Sequence, residues 1–356
     1  MQRSFFIVLC ISLLMLFLSG CSSSTQGPVQ TDVIGGFMGG PEGLRIRLLE
    51  GTPPPVIQDA GLTPFSFIIS LENVGETAVG PGTDNPLVLA RLGGVVLSDF
   101  NLIYDGTGAD GVKRAIGDKS PLPEVAVKRL TEKLEPAAKN YDGTMIPGEM
   151  NYVSFDNLAY TRNIADSYAL TIRAEVCYDY ETQTTVKFCV KKDVLEMPED
   201  ASICVLRGPK PFGNSGAPVQ ITKVEEAPVN EKTMQLNFNI EHVGKGIFFF
   251  RNEPKDLYDA CVFNDMNPNI YKLEVFVEPM QKDTYDVDCQ RLETKISGGG
   301  ESGVIRMYQG APLSLSCFVT RLKPIETRVY EDMMNIRLVY RYGEFIEQPI
   351  LVQGHI

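Results

Sequence analysis

Two short motifs occur twice in this chain, in the same order, and they restrict the fold more than any other feature. Leu71-Glu72-Asn73-Val74-Gly75 is matched by Ile240-Glu241-His242-Val243-Gly244, and each closes a stretch in which apolar and polar residues alternate. About a hundred residues later, Tyr178-Asp179-Tyr180 is matched by Tyr340-Arg341-Tyr342, each after an Ile-Arg pair, Ile172-Arg173 and Ile336-Arg337. Val190 and Val352 then follow at the same interval in both. Residues two apart share one face of a strand, so each Tyr-x-Tyr presents two rings to one side. The segment after it is expected to return beside it as a hairpin. Several motifs agreeing in order indicate two copies of one β-sandwich unit.

The rest of the pattern is consistent with that. Phe65–Leu71, Tyr168–Val176, Met234–Ile240, Lys272–Val277 and Met334–Tyr342 read as strands by alternation or by short apolar runs. Helical periodicity is confined to Pro123–Leu134, where Pro123 suits a first turn and Pro136 follows the end. The stretch Arg207–Pro218 is rich in Gly and Pro and reads as a junction. The expected fold is therefore mostly β. It has a first sandwich over residues 42–207 with a helical insertion, a linker over 208–217, and a second sandwich over 218–356.

The N-terminus sets the compartment. Arg3 precedes an apolar run from Phe5 to Leu18, which is short for a bilayer-spanning helix but suits the core of a signal peptide. It ends at Leu18-Ser19-Gly20-Cys21, which reads as a lipobox, with Cys21 the acylated thiol. Ser22–Pro28 and Gly35–Gly40 are too poor in apolar residues to form a core and read as a flexible tether over 22–41. The expected location is extracytoplasmic, with the membrane reached through the lipid on Cys21.

A net charge of -12 opposes binding to nucleic acid, which requires basic patches. Of eight Cys, Cys10 leaves with the signal peptide and Cys21 carries lipid, so Cys177, Cys189, Cys204, Cys261, Cys289 and Cys317 remain. In an exported chain these suggest disulfides, and their spacing is too long for zinc knuckles. Each half holds three, so they cannot all pair within their own half. Cys289–Cys317 is favoured in the second half. In the first, Cys177–Cys189 across a hairpin competes with Cys189–Cys204. The latter is preferred because directly opposed strand positions hold Cβ atoms about 4.5–5.5 Å apart, against about 3.8 Å in a disulfide. Cys177 and Cys261 are then either free thiols or a bridge between the halves.

Groupings that could carry chemistry are weak. Gly213-Asn214-Ser215-Gly216 has the look of a serine-protease motif, but His242 and His355 both follow it, whereas such enzymes place the His first. Gly298–Gly303 lacks the Lys-Ser/Thr ending of a phosphate loop and reads as a hairpin turn. Asp283, Asp286 and Asp288, and separately Asn264, Asp265 and Asn267, do not match a calcium loop. No catalytic, metal or cofactor residue is assigned.

The Asn-Val-Gly after a strand resembles that of CARDB and related immunoglobulin-like modules of surface proteins. Cys177–Thr182 with Cys189-Val190, Cys204 and Gly216–Val219 is similar to a group of uncharacterised archaeal membrane-anchored lipoproteins with tandem immunoglobulin-like domains. The resemblance covers most of the mature chain through short motifs. It implies fold and location but brings no catalytic residues. The expected function is non-enzymatic contact with other surface or envelope proteins. The alternative is a solute- or glycan-binding lipoprotein serving a transporter, which calls for a deep cleft between the halves lined by aromatic rings.

Overall fold

The computed structural model describes residues 36–100, 126–195, 203–252, 260–263, 267–295, 300–325 and 328–355. Cys21, most of the expected tether, and Asn264 and Asp265 lie outside them. The described residues belong to one compact unit.

In the first half the strands are β1 (Leu44–Leu48), β2 (Val56–Gln58), β3 (Phe65–Asn73), β4 (Val88–Gly93), β5 (Val127–Arg129), β6 (Ala138–Lys139), β7 (Met145–Ile146), β8 (Met150–Leu158) and β9 (Ser167–Lys191). The second half contributes β10 (Gly208–Pro209), β11 (Phe212–Asn214), β12 (Val219–Pro228), β13 (Thr233–His242), β14 (Ile247–Phe249), β15 (Lys272–Pro279), β16 (Tyr285–Cys289), β17 (Thr294–Lys295), β18 (Glu301–Arg306), β19 (Leu313–Arg321) and β20 (Val329–Gln353). No α-helix occurs among the described residues. The helix expected over Pro123–Leu134 is replaced, in its described part, by strand β5, which pairs with β4 through Arg91↔Val127 and Leu89↔Arg129. Val127 is buried there, so a sheet edge that can bury it overrides a local helical pattern.

β9 and β20 organise the molecule. Each is a continuous strand of 25 residues, and they pair antiparallel from Ser167↔Gln353 to Lys191↔Val329. At about 3.3 Å per residue such a strand runs for roughly 80 Å, far beyond the depth of one sandwich. The hairpin expected after each Tyr-x-Tyr is absent: each strand runs straight on, paired with the other along its whole length. The shared sheet has the order β17-β18-β15-β20-β9-β4-β5. Covering sheets β1-β3-β8 and β10-β12-β13-β19-β16 complete the two layers.

The halves repeat one arrangement: β3 lies between β1 and β8 as β13 lies between β12 and β19, and β4 then β5 continue the sheet outward from β9 as β15 then β18 do from β20. Each long strand then crosses over. The later part of β9 pairs with the start of β20, and its Phe188 meets Tyr285 of the second half at 5.6 Å. The end of β20 pairs in parallel with β2 of the first half. The end of each long strand thus packs with the opposite half of the chain.

Alternation explains the burial. In β3 and β15 every second residue is buried, as a sheet with one covered face requires. One continuous core runs from Phe67 and Phe155 through Tyr178, Tyr180, Tyr340 and Tyr342 to Phe238 and Val319. The expected linker is held within it. β10 pairs with β12, β11 pairs with β9, and Lys210 makes a 2.6 Å ion pair with the fully buried Glu226.

Candidate interaction surface

The centre of the β9–β20 ladder is where the repeated motifs meet. Tyr180 is opposite Tyr340 and Tyr178 opposite Tyr342, with all four rings buried on the core face. Tyr178 packs edge-on against Tyr180 and Tyr342 at 5.8 and 5.7 Å. Every hydroxyl has a partner. Leu44 N–H donates to Tyr178 at 3.3 Å, and Tyr180 donates to the Gly216 carbonyl at 3.0 Å. Tyr340 lies 3.0 Å from the Thr182 hydroxyl, and Tyr342 accepts Gly246 N–H at 2.7 Å. Burial raises the pKa of all four phenols, so they remain neutral.

The two glycines of the repeat abut these rings. A Cβ on Gly75 would lie 1.8 Å from the Tyr180 hydroxyl, and one on Gly244 would lie 2.2 Å from that of Tyr342. The backbone repeats as well: Val74 and Gly75 N–H donate to the Gly43 carbonyl, and Val243 and Gly244 N–H donate to that of Pro218. The Val-Gly motif and the Tyr-x-Tyr motif recur together because they touch.

The reverse side of the same ladder is charged. Arg341 Nε donates to Asp179 Oδ1 at 2.8 Å, with both side chains almost fully buried. Arg251 Nε lies 3.7 Å from Asp179 Oδ2, and Arg91 pairs with Glu175 and donates to the Cys261 carbonyl at 2.8 Å. Residues 247–252 and 260–263 lie across this array. Phe249, Ala260, Cys261 and Ile270 form a second apolar cluster with Leu87, Leu89, Val127 and Cys177.

All six Cys among the described residues are paired. Cys177–Cys261 fixes this covering segment to β9, Cys189–Cys204 fixes the end of β9 to the approach to β10, and Cys289–Cys317 joins β16 to β19. Cys177 and Cys189 stand on one strand, so they cannot face each other across a hairpin. Cys289 and Cys317 are directly opposed in register, with Cα atoms 4.0 Å apart. Disulfides form in oxidising compartments, which agrees with an extracytoplasmic location. No helix among the described residues is long and apolar enough to cross a membrane.

The described end of the expected tether is docked. Glu76 accepts the N–H groups of Met38 at 2.8 Å, Gly39 at 3.0 Å and Gly216 at 2.6 Å. Ala217 N–H donates to the Gly40 carbonyl at 2.9 Å. Composition alone does not reveal this clamp, because its partners are backbone groups.

The other residues singled out in the sequence have structural partners. Ser215 is buried, donating its N–H to the Gln183 carbonyl and accepting Gln183 N–H on its hydroxyl at 2.9 Å. His242 places Nε2 2.9 Å from the Tyr342 hydroxyl, and burial lowers its pKa. His355 Nδ1 lies 2.5 Å from the buried Asp59, whose pKa is held down by the Ile164 N–H and by His355. Asp286 and Asp288 point outward from β16, between buried Tyr285, Val287 and Cys289. Asn267 is engaged with Val262 and Asn269.

Two features face solvent. One is a recess of about 570 Å³ bordered by Asp99, Phe100, Tyr160, Tyr168, Thr171 and Pro349. The other is the β6–β7 hairpin, in which every residue from Ala138 to Pro147 is exposed.

No protein-family model and no curated protein matches the chain. Among solved structures it is similar, at a TM-score of 0.14 and 12% identity, to Escherichia coli alpha-2-macroglobulin activated by porcine elastase. The match covers 88% of this chain and 33% of that one. The chain spans about a third of that protein's length, and a likeness at this level carries no argument.

Proposed function

We propose that the chain is a lipid-anchored, non-enzymatic protein of the cell envelope, built of two immunoglobulin-like units, that works by surface contact with other envelope or surface proteins. The supporting observation is the joint between the halves. A protein that closes on a solute needs a hinge and a cleft there. Here the space is filled by four buried tyrosines on one side and by the Asp179–Arg341 pair on the other, with a continuous β-ladder between them. Such a joint resists bending and leaves the outer surface for recognition. Fractionation tests the anchor: Cys21→Ser should move the protein from the membrane pellet to the soluble exported fraction, and retention in the pellet counts against lipidation. In-cell crosslinking from surface positions should then trap discrete protein adducts that depend on the anchor. A chain that yields none opposes the contact role.

A second reading, glycan binding, is favoured by the recess beside Tyr168, whose ring is half exposed near Asp99 and Thr171. Glycan binding that is lost in Tyr168→Ala would select it.

A further inference from the structure

The β6–β7 hairpin is an unusual surface for a chain of net charge -12. Its turn carries Tyr141, 97% exposed, and its second strand carries Met145 and Ile146, each about half exposed. The chain then enters β8, where Met150 and Tyr152 are likewise half exposed. Met145 and Ile146, consecutive on one strand, point to its two faces, so with Tyr141 at the turn the hairpin carries exposed apolar groups on both faces and at its tip, more than singly scattered residues.

The hairpin is built to hold its shape. Asn140 N–H donates to the Thr144 carbonyl at 2.8 Å, and Gly143 N–H donates back to that of Asn140 at 2.9 Å. Asp142 accepts Thr144 N–H, which keeps its carboxyl pKa low. At the base, Glu149 N–H donates to the Glu135 carbonyl and Ala137 N–H to that of Gly75. A Cβ on Gly148 would come within 2.0 Å of the Asn73 carbonyl, so the two legs close tightly on the sandwich.

The base of the hairpin also adjoins the place where the N-terminal segment leaves the fold. Gly75 holds Ala137 of the hairpin, and its neighbour Glu76 holds Met38 and Gly39 of that segment. Fourteen residues, 22–35, separate Cys21 from the first described residue, a length of chain that can reach at most about 50 Å. An anchor at Cys21 therefore joins the fold beside Glu76, on the side that carries the hairpin.

The geometry points to the β6–β7 hairpin as a second membrane contact, with Tyr141, Met145 and Ile146 entering the interface of an uncharged or zwitterionic lipid surface. This rests on the reading of Cys21 as the lipid anchor. Tyrosine suits that depth because its ring is apolar and its hydroxyl stays wet. The exposed carboxyl of Asp142 at the turn limits entry to the headgroup level.

The chain has no Trp, so Tyr141→Trp introduces a sole indole that can be excited apart from the tyrosines. Tyr308→Trp, at an exposed turn in the second half, serves as the control. Lipidated full-length protein of each variant would be reconstituted into phosphatidylcholine vesicles with and without bromine-labelled acyl chains. The expected result is a blue-shifted indole at position 141 that loses more than half its emission to the bromolipid, with the indole at position 308 unaffected. Vesicles that carry the protein while the reporter at 141 stays unquenched overturn the hairpin contact and leave the anchor standing. Protein that fails to float with vesicles overturns the anchor and the hairpin contact together.

Discussion

Asp179 and Arg341 face each other in the β9–β20 register, and each is the middle residue of its copy of Tyr-x-Tyr. In a pair of like strands the central position meets its own counterpart. Two Asp or two Arg there would place like charges together out of water. Opposite charges in the two copies give instead a buried ion pair of 2.8 Å. Removing one member strands the other, at a cost of about 3–5 kcal/mol. Arg341→Met is therefore expected to lower the denaturant midpoint strongly, with Arg251 offsetting part of the loss. Exchanging the two residues should recover most of the stability, because the partners and their burial are retained. A double variant no better than the single one would show that surroundings, not pairing, dominate.

The Gly–Tyr contacts should fail in parallel. Gly75→Ala and Gly244→Ala each drive a methyl group into a tyrosine hydroxyl, and each is expected to cost 2 kcal/mol or more, within the roughly 1–3 kcal/mol typical of overpacking or beyond it. Gly75→Ala combined with Tyr180→Phe should regain part of this, since the atom at 1.8 Å is gone while the Gly216 carbonyl at 2.8 Å remains. Chemical denaturation of the four proteins reads the outcome, and an Ala variant as stable as the parent would remove these contacts as the reason for the repeat.

Glu344 gives a pH dependence. Burial, aided by repulsion from Glu42 and opposed by Lys245, raises its carboxyl pKa from 4.5 to about 7. Below 4.5 it is protonated whether the chain is folded or not. Between 4.5 and 7 the unfolded chain has lost the proton that the folded one keeps, so stability falls as pH rises through this window. Glu344→Gln should match the parent at pH 4 and exceed it at pH 8 by about 1–3 kcal/mol, allowing for screening by solvent. Equal unfolding curves at both pH values would refute the assignment.

Loop length ranks the disulfides. The sequence separations are 84 for Cys177–Cys261, 28 for Cys289–Cys317 and 15 for Cys189–Cys204. The chain-entropy model gives about 4.6, 3.6 and 3.1 kcal/mol respectively. Replacing each pair by Ala should lower the melting temperature in that order. The effects of Cys177–Cys261 and Cys189–Cys204 will not add, because the shorter loop lies inside the longer.

Much of the β pattern could be read locally. Alternation and short apolar runs marked β3, β13 and β15, the first part of β9 and the middle of β20, because a sheet with one buried face writes its period into the sequence. The spacing of the cysteines favoured two pairs that the structure contains, and left Cys177 and Cys261 open. Their bond depends on residues 260–263 lying across the back of β9, a placement no local pattern encodes. The Glu76 clamp was hidden for a similar reason, since it binds backbone N–H groups that every residue type offers.

What the sequence determined by itself was the repetition, the strand character and the pairing of a glycine motif with a tyrosine motif, each a consequence of side-chain period and shape. Tertiary structure decided how the copies combine. The residues after Tyr180 and Tyr342 can serve equally as the return arm of a hairpin or as a straight continuation. Local preference does not separate the two, because both are extended strands with the same alternation. The choice fell to continuation because each extension buries its apolar face, Val186, Phe188 and Val190 in one copy and Ile350 and Val352 in the other, in one continuous core.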